Sequence, residues 1–280
     1  MMHLGLIIVS LAVAYGMRLF WRSDGSTLQD WQPTLLGFLV PALLPIMTEI
    51  AIVCMGPHGH MVMYWEGWLS YSLSAGVLAI ALGWALKLAL DGYRTLRSVR
   101  HCERSQVGNY TCRILELELP YSAQVGFWNP ELVISRGLLQ TLDETHLQAV
   151  LAHEAGHRYY RDTFWTFWLG WLRRLTAWLP ESDRLWHDLL LLREMRADRW
   201  ATQSVDPITL AESLLQVAQA PQSFSSPVVA EFSLTLMGDR ITTRIQALLT
   251  PAPPQATRHP AQWLWFLVAL FPLLIVPFHY

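Results

Sequence analysis

The sequence predicts an integral membrane α-helical protein with four transmembrane helices and one cytoplasmic α+β domain. Its 280 residues are 52% hydrophobic and include 14 tryptophans, which exceeds the apolar share of an average soluble domain. Four apolar stretches reach about the 20 residues that a helix needs to cross a bilayer. The arginines cluster after the first and third stretches, which indicates the side of the membrane on which the domain lies.

The four apolar stretches divide the chain. The predicted transmembrane helices are residues 2–21, 31–56, 67–90 and 263–278. No Lys or Arg precedes the first apolar run, and Arg18 follows it, so we expect a retained helix instead of a cleaved signal peptide. The expected organisation is three transmembrane helices in residues 1–90, a cytoplasmic domain in 91–258 and a fourth transmembrane helix in 259–280.

The arginines predict the orientation, because cytoplasmic flanks of transmembrane helices carry the excess of positive charge. Two arginines follow the first stretch and four follow the third, namely Arg18, Arg22, Arg94, Arg97, Arg100 and Arg104. The connection 57–66 contains no Lys or Arg. We therefore expect this connection and both termini outside, and the domain in the cytoplasm.

Two strands are predicted early in the domain. Residues 111–120 alternate, with Leu115, Leu117 and Leu119 on one face. Residues 131–135 follow the turn signal Trp-Asn-Pro and form the second predicted strand.

Helices are predicted over the rest of the domain. Thr141 and Glu144 have the spacing of a capping box and are expected to begin the first one. Residues 163–179 place tryptophans at helical spacing beside arginines, which favours a helix at the membrane interface, with an ordinary core helix as the alternative. Further helices are expected over 181–203, from Asp206 and over 239–249, before a proline-rich linker at 250–260.

The strongest motif is His153-Glu154-Ala155-Gly156-His157, an H-E-x-x-H sequence. Two imidazoles four residues apart share one face of a helix and can bind one zinc ion. Glu154 is then the expected general base toward the attacking water. This pattern is typical of zinc metallopeptidases.

A catalytic zinc site needs a third protein ligand and an open position. Glu194 and Asp198 lie one turn apart on a predicted helix, so one carboxylate can bind the metal while the other orients a histidine ligand. The alternative is a solvated helix face, because charged residues usually lie at the surface.

The runs LQAVLAHEAGHRYYRDT, REMRADRWA and DRITTRIQALL resemble the gluzincin core of HtpX-like and CAAX-processing peptidases and of BlaR/MecR antirepressor peptidases. The resemblance covers most of residues 110–250 and implies a gluzincin metallopeptidase domain. It makes Glu194 the third zinc ligand, Asp198 its supporting partner and Arg244 the matching late arginine. Asp162 stands where the families commonly have an Arg-Asp pair.

The order of transmembrane helices and the stretch FWNPELVISRGLLQTLDETHLQAVLAHE resemble the BlaR/MecR branch more closely. This implies a bacterial inner-membrane protease, active on the cytoplasmic side, that cleaves a BlaI-like transcriptional repressor. Residues 131–135 would be the edge strand that pairs with the substrate. Lys87 is the only lysine, so the chain cannot carry the S-x-x-K acylation sensor of that branch.

Two other functions are alternatives to repressor cleavage. An HtpX-like quality-control peptidase would degrade damaged membrane proteins. A non-enzymatic receptor with a structural zinc would be expected to offer a fourth protein ligand. The near balance of 20 basic and 22 acidic residues does not favour direct nucleic-acid binding. Candidates for stabilising the oxyanion are Tyr159, Tyr160, His187 and Arg244.

Soft ligands cluster at the outer end of the second apolar stretch. They are Cys54, Met55, His58, His60, Met61 and Met63. Thioether, thiol and imidazole groups suit Cu(I), so copper on the outer side is a hypothetical activating signal. The alternative is that Met and Cys fill an apolar helix and the histidines are ordinary loop residues.

Overall fold

A computed structural model describes residues 2–20, 31–58, 64–219, 238–250 and 264–278. The chain forms two compact units. Unit 1 comprises residues 1–89, 168–189 and 256–280, and unit 2 comprises residues 90–167 and 190–255.

Three long apolar helices dominate unit 1. They are α1 (Met2–Phe20), α2 (Trp31–Met55) and α3 (Tyr64–Arg100), whose last residues belong to unit 2. Each is long and apolar enough to cross a membrane, which supports the first three predicted transmembrane helices.

The fourth predicted transmembrane helix is not confirmed. Its described part consists of α10 (Trp265–Leu270) and a 3-10 helix (Phe271–Phe278). Pro272 and Pro277 lack the backbone N–H that an α-helix needs, which interrupts regular α-helical hydrogen bonding. The described segment is therefore a shorter apolar helix.

Unit 1 packs α1 against α2 through a small apolar cluster that includes Ile7 and Ile52. In contrast, α3 buries polar side chains at one-turn spacing, Glu66, Ser70 and Ser74. The Ser70 hydroxyl lies 3.3 Å from Nδ1 of His3 on α1.

Unit 2 contains a four-stranded sheet. Its strands are β1 (Glu103–Val107), β2 (Tyr110–Leu115), β3 (Ser122–Val125) and β4 (Glu131–Ser135), in the order β1-β2-β4-β3. β4 pairs with β2 in parallel and with β3 antiparallel. The predicted strand at residues 131–135 is confirmed, but its expected edge position is wrong, because β3 occupies that edge.

The other predicted strand is shorter than residues 111–120. β2 ends at Leu115, and the backbone N–H of Gly137 then donates to the Leu117 carbonyl at 2.9 Å. The Leu117 backbone N–H also donates to the Leu115 carbonyl at 2.9 Å, a tight turn that ends the strand, so the alternating leucines continue past it.

Six helices complete the described part of unit 2 or connect it to unit 1. They are α4 (Arg136–Thr141), α5 (Glu144–Tyr159), α6 (Asp162–Leu175), α7 (Ser182–Ala201), α8 (Pro207–Gln219) and α9 (Gly238–Leu249). The predicted capping box is wrong, because Thr141 is the last residue of α4. Asp143 caps α5 instead, and its side chain accepts a hydrogen bond from the His146 backbone N–H.

The apolar core of unit 2 lies between the sheet and α5. Ile114 and Ile134 from the strands pack with Leu147 and Leu151 from the helix. Because one side of α5 is anchored in this core, its next face can present polar side chains at a constant position.

Candidate active site

Helix α5 carries the three motif side chains, and a close approach of α7 brings the candidate third ligand to them. A Cβ atom on Gly156 would lie 3.1 Å from the Ala197 Cα, which is closer than packing normally allows. Glycine at this position therefore permits α5 and α7 to cross almost backbone to backbone. This crossing places Glu194 beside His153 and His157.

The three side chains converge. His153 Nε2 lies 3.0 Å from His157 Nε2, and it lies 3.4 Å from Glu194 Oε2. His157 Nε2 lies 3.6 Å from Glu194 Oε1. Among the described residues, these three form the one group of His, Cys, Asp and Glu side chains that could hold a metal ion.

The spacing of this group fits a metal ion of the size of zinc. Two nitrogens bound tetrahedrally with zinc–nitrogen bonds of about 2.0–2.1 Å would be on the order of 3.3 Å apart. Two imidazoles and one carboxylate also match the three protein ligands of a catalytic zinc site.

Each imidazole is oriented by a carboxylate on its other nitrogen. His153 Nδ1 lies 2.8 Å from Asp198 Oδ1, and His157 Nδ1 lies 2.7 Å from Asp162 Oδ2. A proton on Nδ1 shared with a carboxylate leaves the Nε2 lone pair available to a metal. Both Nε2 atoms accordingly point into the cluster.

The carboxylates of the site are matched by arginines. Arg244 donates to both oxygens of Asp198 at 2.7 and 2.8 Å, and Arg196 donates to Asp162. Arg193 donates to Glu194 Oε1 at 2.7 Å. Such pairs fix the orientation of each carboxylate, which in turn fixes the imidazoles.

The charges of the site act on the protonation of its groups. Burial alone would lower the pKa of His157, but Glu194 and Asp162 outweigh burial and raise it to about 10. A metal ion that binds Nε2 must therefore displace a proton from this imidazole. Burial alone would raise the pKa of Glu194, but His157 and Arg193 hold it well below its usual range. Glu194 therefore stays a carboxylate, the form that binds a metal.

Glu154 lies beside this cluster and contacts the edge strand. Its Oε1 accepts a hydrogen bond from the Ser122 hydroxyl at 2.8 Å. The Gln124 amide donates to the Glu154 backbone carbonyl at 3.1 Å. The buried Oε2 has no hydrogen-bond partner among the described residues. One oxygen is thus held in place while the other remains available as a proton acceptor.

The structure brings together all the inner residues that the sequence singled out, including Asp198 and Arg244. It also adds residues to which the sequence analysis gave no role in the site, namely Ser122, Gln124, Arg193 and Arg196. The two arginines could have been found from their positions beside Glu194 on the same helix. Ser122 and Gln124 gave no local signal, because β3 is four residues long and follows an irregular segment.

The four candidates for stabilising the oxyanion differ in the groups that they contact. Tyr159 stacks on Trp200 at 3.9 Å between ring centroids, and the Arg196 guanidinium lies 4.2 Å above the Tyr160 ring. Arg244 is paired with Asp198. His187 lies on α7 within unit 1.

The outer soft ligands are only partly within the described residues. Met55 is buried in the apolar cluster of α1 and α2, whereas Cys54 is exposed. His58 lies near the rings of Tyr64 and Trp68. His60, Met61 and Met63 lie outside the residues that the structure describes.

Residues 120–181 match the model of peptidase family M48. The matched segment runs from the residues before β3 through α6, and so includes His153, Glu154 and His157 but not Glu194. No protein with a curated description and no solved structure matches the chain significantly. The family match and the metal-binding geometry together support a metallopeptidase of the M48 type. The three long apolar helices suggest a membrane protein.

Proposed function

We propose that this chain is a membrane-bound zinc endopeptidase that cleaves a protein substrate on the cytoplasmic side. The observation that carries the proposal is the cluster of His153, His157 and Glu194 beside Glu154. The cluster supplies three metal ligands with oriented imidazoles, and Glu154 supplies an unpaired carboxylate oxygen. The arginine distribution along the sequence supports the cytoplasmic location.

Each residue of the candidate site has a separate proposed role in peptide hydrolysis. A zinc ion held by the cluster would polarise the substrate carbonyl and lower the pKa of a water molecule toward neutrality. Glu154 accepts a proton from the attacking water through Oε2 and returns it to the departing amine. Ser122 donates a hydrogen bond to the other Glu154 oxygen and so restricts the orientation of the carboxylate. Asp198 and Asp162 keep the imidazoles in the metal-binding orientation.

The substrate backbone would pair with β3. One edge of β3 bonds to β4, and among the described strands none pairs with its other edge. An extended peptide can add to such an edge through main-chain hydrogen bonds. This arrangement replaces residues 131–135, which lie inside the sheet, as the proposed substrate-binding strand.

The decisive experiment compares Glu154→Gln with Glu144→Gln, an exposed glutamate at the start of the same helix. We expect Glu154→Gln to lower proteolysis at least about 100-fold, in the range of lost general-base catalysis, while zinc content is retained. Glu144→Gln should retain activity. Unchanged proteolysis in Glu154→Gln would refute the proposed mechanism.

We propose a BlaI-like transcriptional repressor as the substrate, on the strength of the sequence resemblance described above. The second candidate is quality control of membrane proteins in the manner of HtpX-like peptidases, and the M48 match does not distinguish the two. Proteomic comparison of wild type with Glu154→Gln separates them. One accumulating repressor supports the first function, and broad accumulation of damaged membrane proteins supports the second.

Copper remains a hypothetical signal at the outer end of α2. Cys54 and His58 are the described ligands that could take part, because the Met55 side chain is buried. We expect Cu(I) to bind wild type more tightly than a Cys54→Ser/His58→Ala variant and to change proteolysis. Equal Cu(I) binding by the two proteins would end this hypothesis.

A further inference from the structure

Four aromatic rings meet where the turn after β3 contacts the start of α6. The Phe127 ring centroid lies 5.0 Å from those of Phe164 and Phe167, and 4.9 Å from that of Trp128. Trp128 also lies 5.4 Å from Phe164, and its surface is 70% exposed. We call Phe127, Trp128, Phe164 and Phe167 the aromatic cluster. Within it Trp128 is exposed, whereas the three phenylalanines are half-buried beneath it.

The elements that carry the aromatic cluster also hold the candidate active site. On α6, Asp162 contacts His157, and the Thr166 hydroxyl accepts a hydrogen bond from Arg193 at 3.0 Å. On β3, Ser122 contacts Glu154. The aromatic cluster therefore joins α6 to the turn after β3, and each of these two elements also contacts a residue of the candidate active site.

The turn that presents Phe127 and Trp128 has a constrained backbone. Gly126 adopts φ +129°, a conformation that favours glycine, and an added Cβ would lie 3.2 Å from the Asn129 carbonyl oxygen. A larger residue at this position would strain the turn. The two rings are therefore held in place by the backbone.

The strand geometry sets the distance from the cleaved bond to the aromatic cluster. Ser122 marks the position of Glu154, and β3 ends at Val125. Val125 is three residues beyond Ser122, so at about 3.3 Å per residue the strand edge ends roughly 10 Å from Ser122, where the turn that carries Phe127 and Trp128 begins. Antiparallel pairing is the more stable arrangement, and it places the end of β3 beside the N-terminal part of the peptide.

We propose that the aromatic cluster is a specificity subsite for an apolar or aromatic side chain of the substrate. This side chain is the third or fourth residue on the N-terminal side of the cleaved bond. The inference rests on the proposed peptidase function. The turn at residues 126–130 contains no Lys or Arg and is followed by Glu131, whereas interfacial segments usually combine aromatic residues with basic ones. Contact of the cluster with the bilayer is the competing assignment, because α6 is also the helix predicted at the membrane interface, and the test distinguishes the two.

The test uses the full-length zinc-loaded protein in detergent and a mixed peptide library, with cleavage sites identified by mass spectrometry. We expect apolar residues to be enriched at the stated position. Trp128→Ser and Phe164→Leu should each lower kcat/KM about 10-fold for peptides with an aromatic residue there, in the range of a lost hydrophobic pocket. Peptides with serine there should be cleaved as by wild type. Phe164→Leu keeps an apolar side chain, which guards against misfolding.

Tyr93→Ser is the matched control, because Tyr93 is an exposed aromatic residue on α3 outside the aromatic cluster. It should leave the preference unchanged. If wild type cleaves the library no better than Glu154→Gln, the proposed function itself fails. If wild type cleaves but shows no preference at this position, or both cluster variants keep it, this inference fails. Loss of binding to phosphatidylglycerol vesicles by Trp128→Ser with an intact preference would assign the cluster to the bilayer and overturn the subsite.

Discussion

The two compact units bury charged side chains in opposite ways. In unit 2, three carboxylates at or beside the metal site each contact an arginine, in the pairs Glu194–Arg193, Asp162–Arg196 and Asp198–Arg244. In unit 1, Arg18 and Glu49 are buried in apolar helices with far fewer partners. Arg18 donates to the Phe38 carbonyl at 3.1 Å, and Glu49 Oε2 has no hydrogen-bond partner among the described residues.

This difference shows two ways of holding a buried charge. In unit 2, opposite charges and directed hydrogen bonds determine where each carboxylate points, so the metal ligands are organised before a metal binds. In unit 1, Glu49 is positioned by the packing of helices, and no arginine among the described residues forms an ion pair with its buried carboxylate. Removing one charge of a carboxylate–arginine pair in unit 2 should therefore lower stability or zinc affinity. Removing the Glu49 charge in unit 1 should change both very little.

The largest effect is expected from Arg244→Met. It leaves Asp198 buried without its cation, and removing one partner of a buried pair typically costs about 3–5 kcal/mol. The measurement is denaturant unfolding in detergent micelles. Arg136→Met, at an exposed arginine paired with Glu116, is the control and should cause a much smaller change. Similar losses in both variants would contradict the comparison.

A smaller but more specific effect is expected from Asp198→Asn. The amide keeps the shape of the side chain but binds the His153 imidazole more weakly, so zinc affinity should fall about 10- to 100-fold. Competition with a chromogenic chelator measures this affinity. Asp206→Asn, at the start of α8, should leave zinc affinity unchanged. Unchanged affinity in Asp198→Asn would show that the carboxylate does not orient the ligand.

Removing the N-terminal cap of α5, the helix that carries His153 and His157, is expected to lower thermal stability modestly. Asp143→Ala removes the acceptor for the His146 N–H and should lower the thermal unfolding midpoint by about 2–4 °C. Thr141→Ala should have less effect, because Thr141 bonds to the Gly137 carbonyl within α4. If Thr141→Ala lowered the unfolding midpoint more than Asp143→Ala, Thr141 would be the residue that caps α5, as the predicted capping box had it.

The smallest effect is expected from Glu49→Gln in unit 1. The substitution removes a buried carboxylate and keeps its shape, so the unfolding free energy should stay within about 0.5 kcal/mol or increase. Zinc content and proteolysis should remain at wild-type levels. A loss of either would show that Glu49 acts on the active site, and the contrast between the two units would no longer hold.

Features that repeat along a short stretch of chain could be predicted. The H-E-x-x-H spacing and the Glu194/Asp198 pair are each one turn of a helix, so the sequence alone indicated a shared face. The apolar length of α1, α2 and α3 likewise indicated membrane-length helices. The early end of β2 could not be predicted as well, because the turn between Leu115 and Leu117 leaves the alternation of leucines intact. The Asp143 cap could not be predicted either, because Thr141 and Asp143 are both residue types that can cap a helix.

The sequence by itself determined the metal-binding chemistry, because the ligand types and their helical periodicity are local properties. Only the tertiary structure decided how this chemistry is organised. Placement of β3 at the sheet edge depends on pairing between segments distant in sequence, and so does the contact of Ser122 with Glu154. The close crossing at Gly156 and two of the arginine–carboxylate pairs, Asp162–Arg196 and Asp198–Arg244, likewise arise from packing between helices. Such contacts depend on three-dimensional distance, which the order of residues alone does not specify.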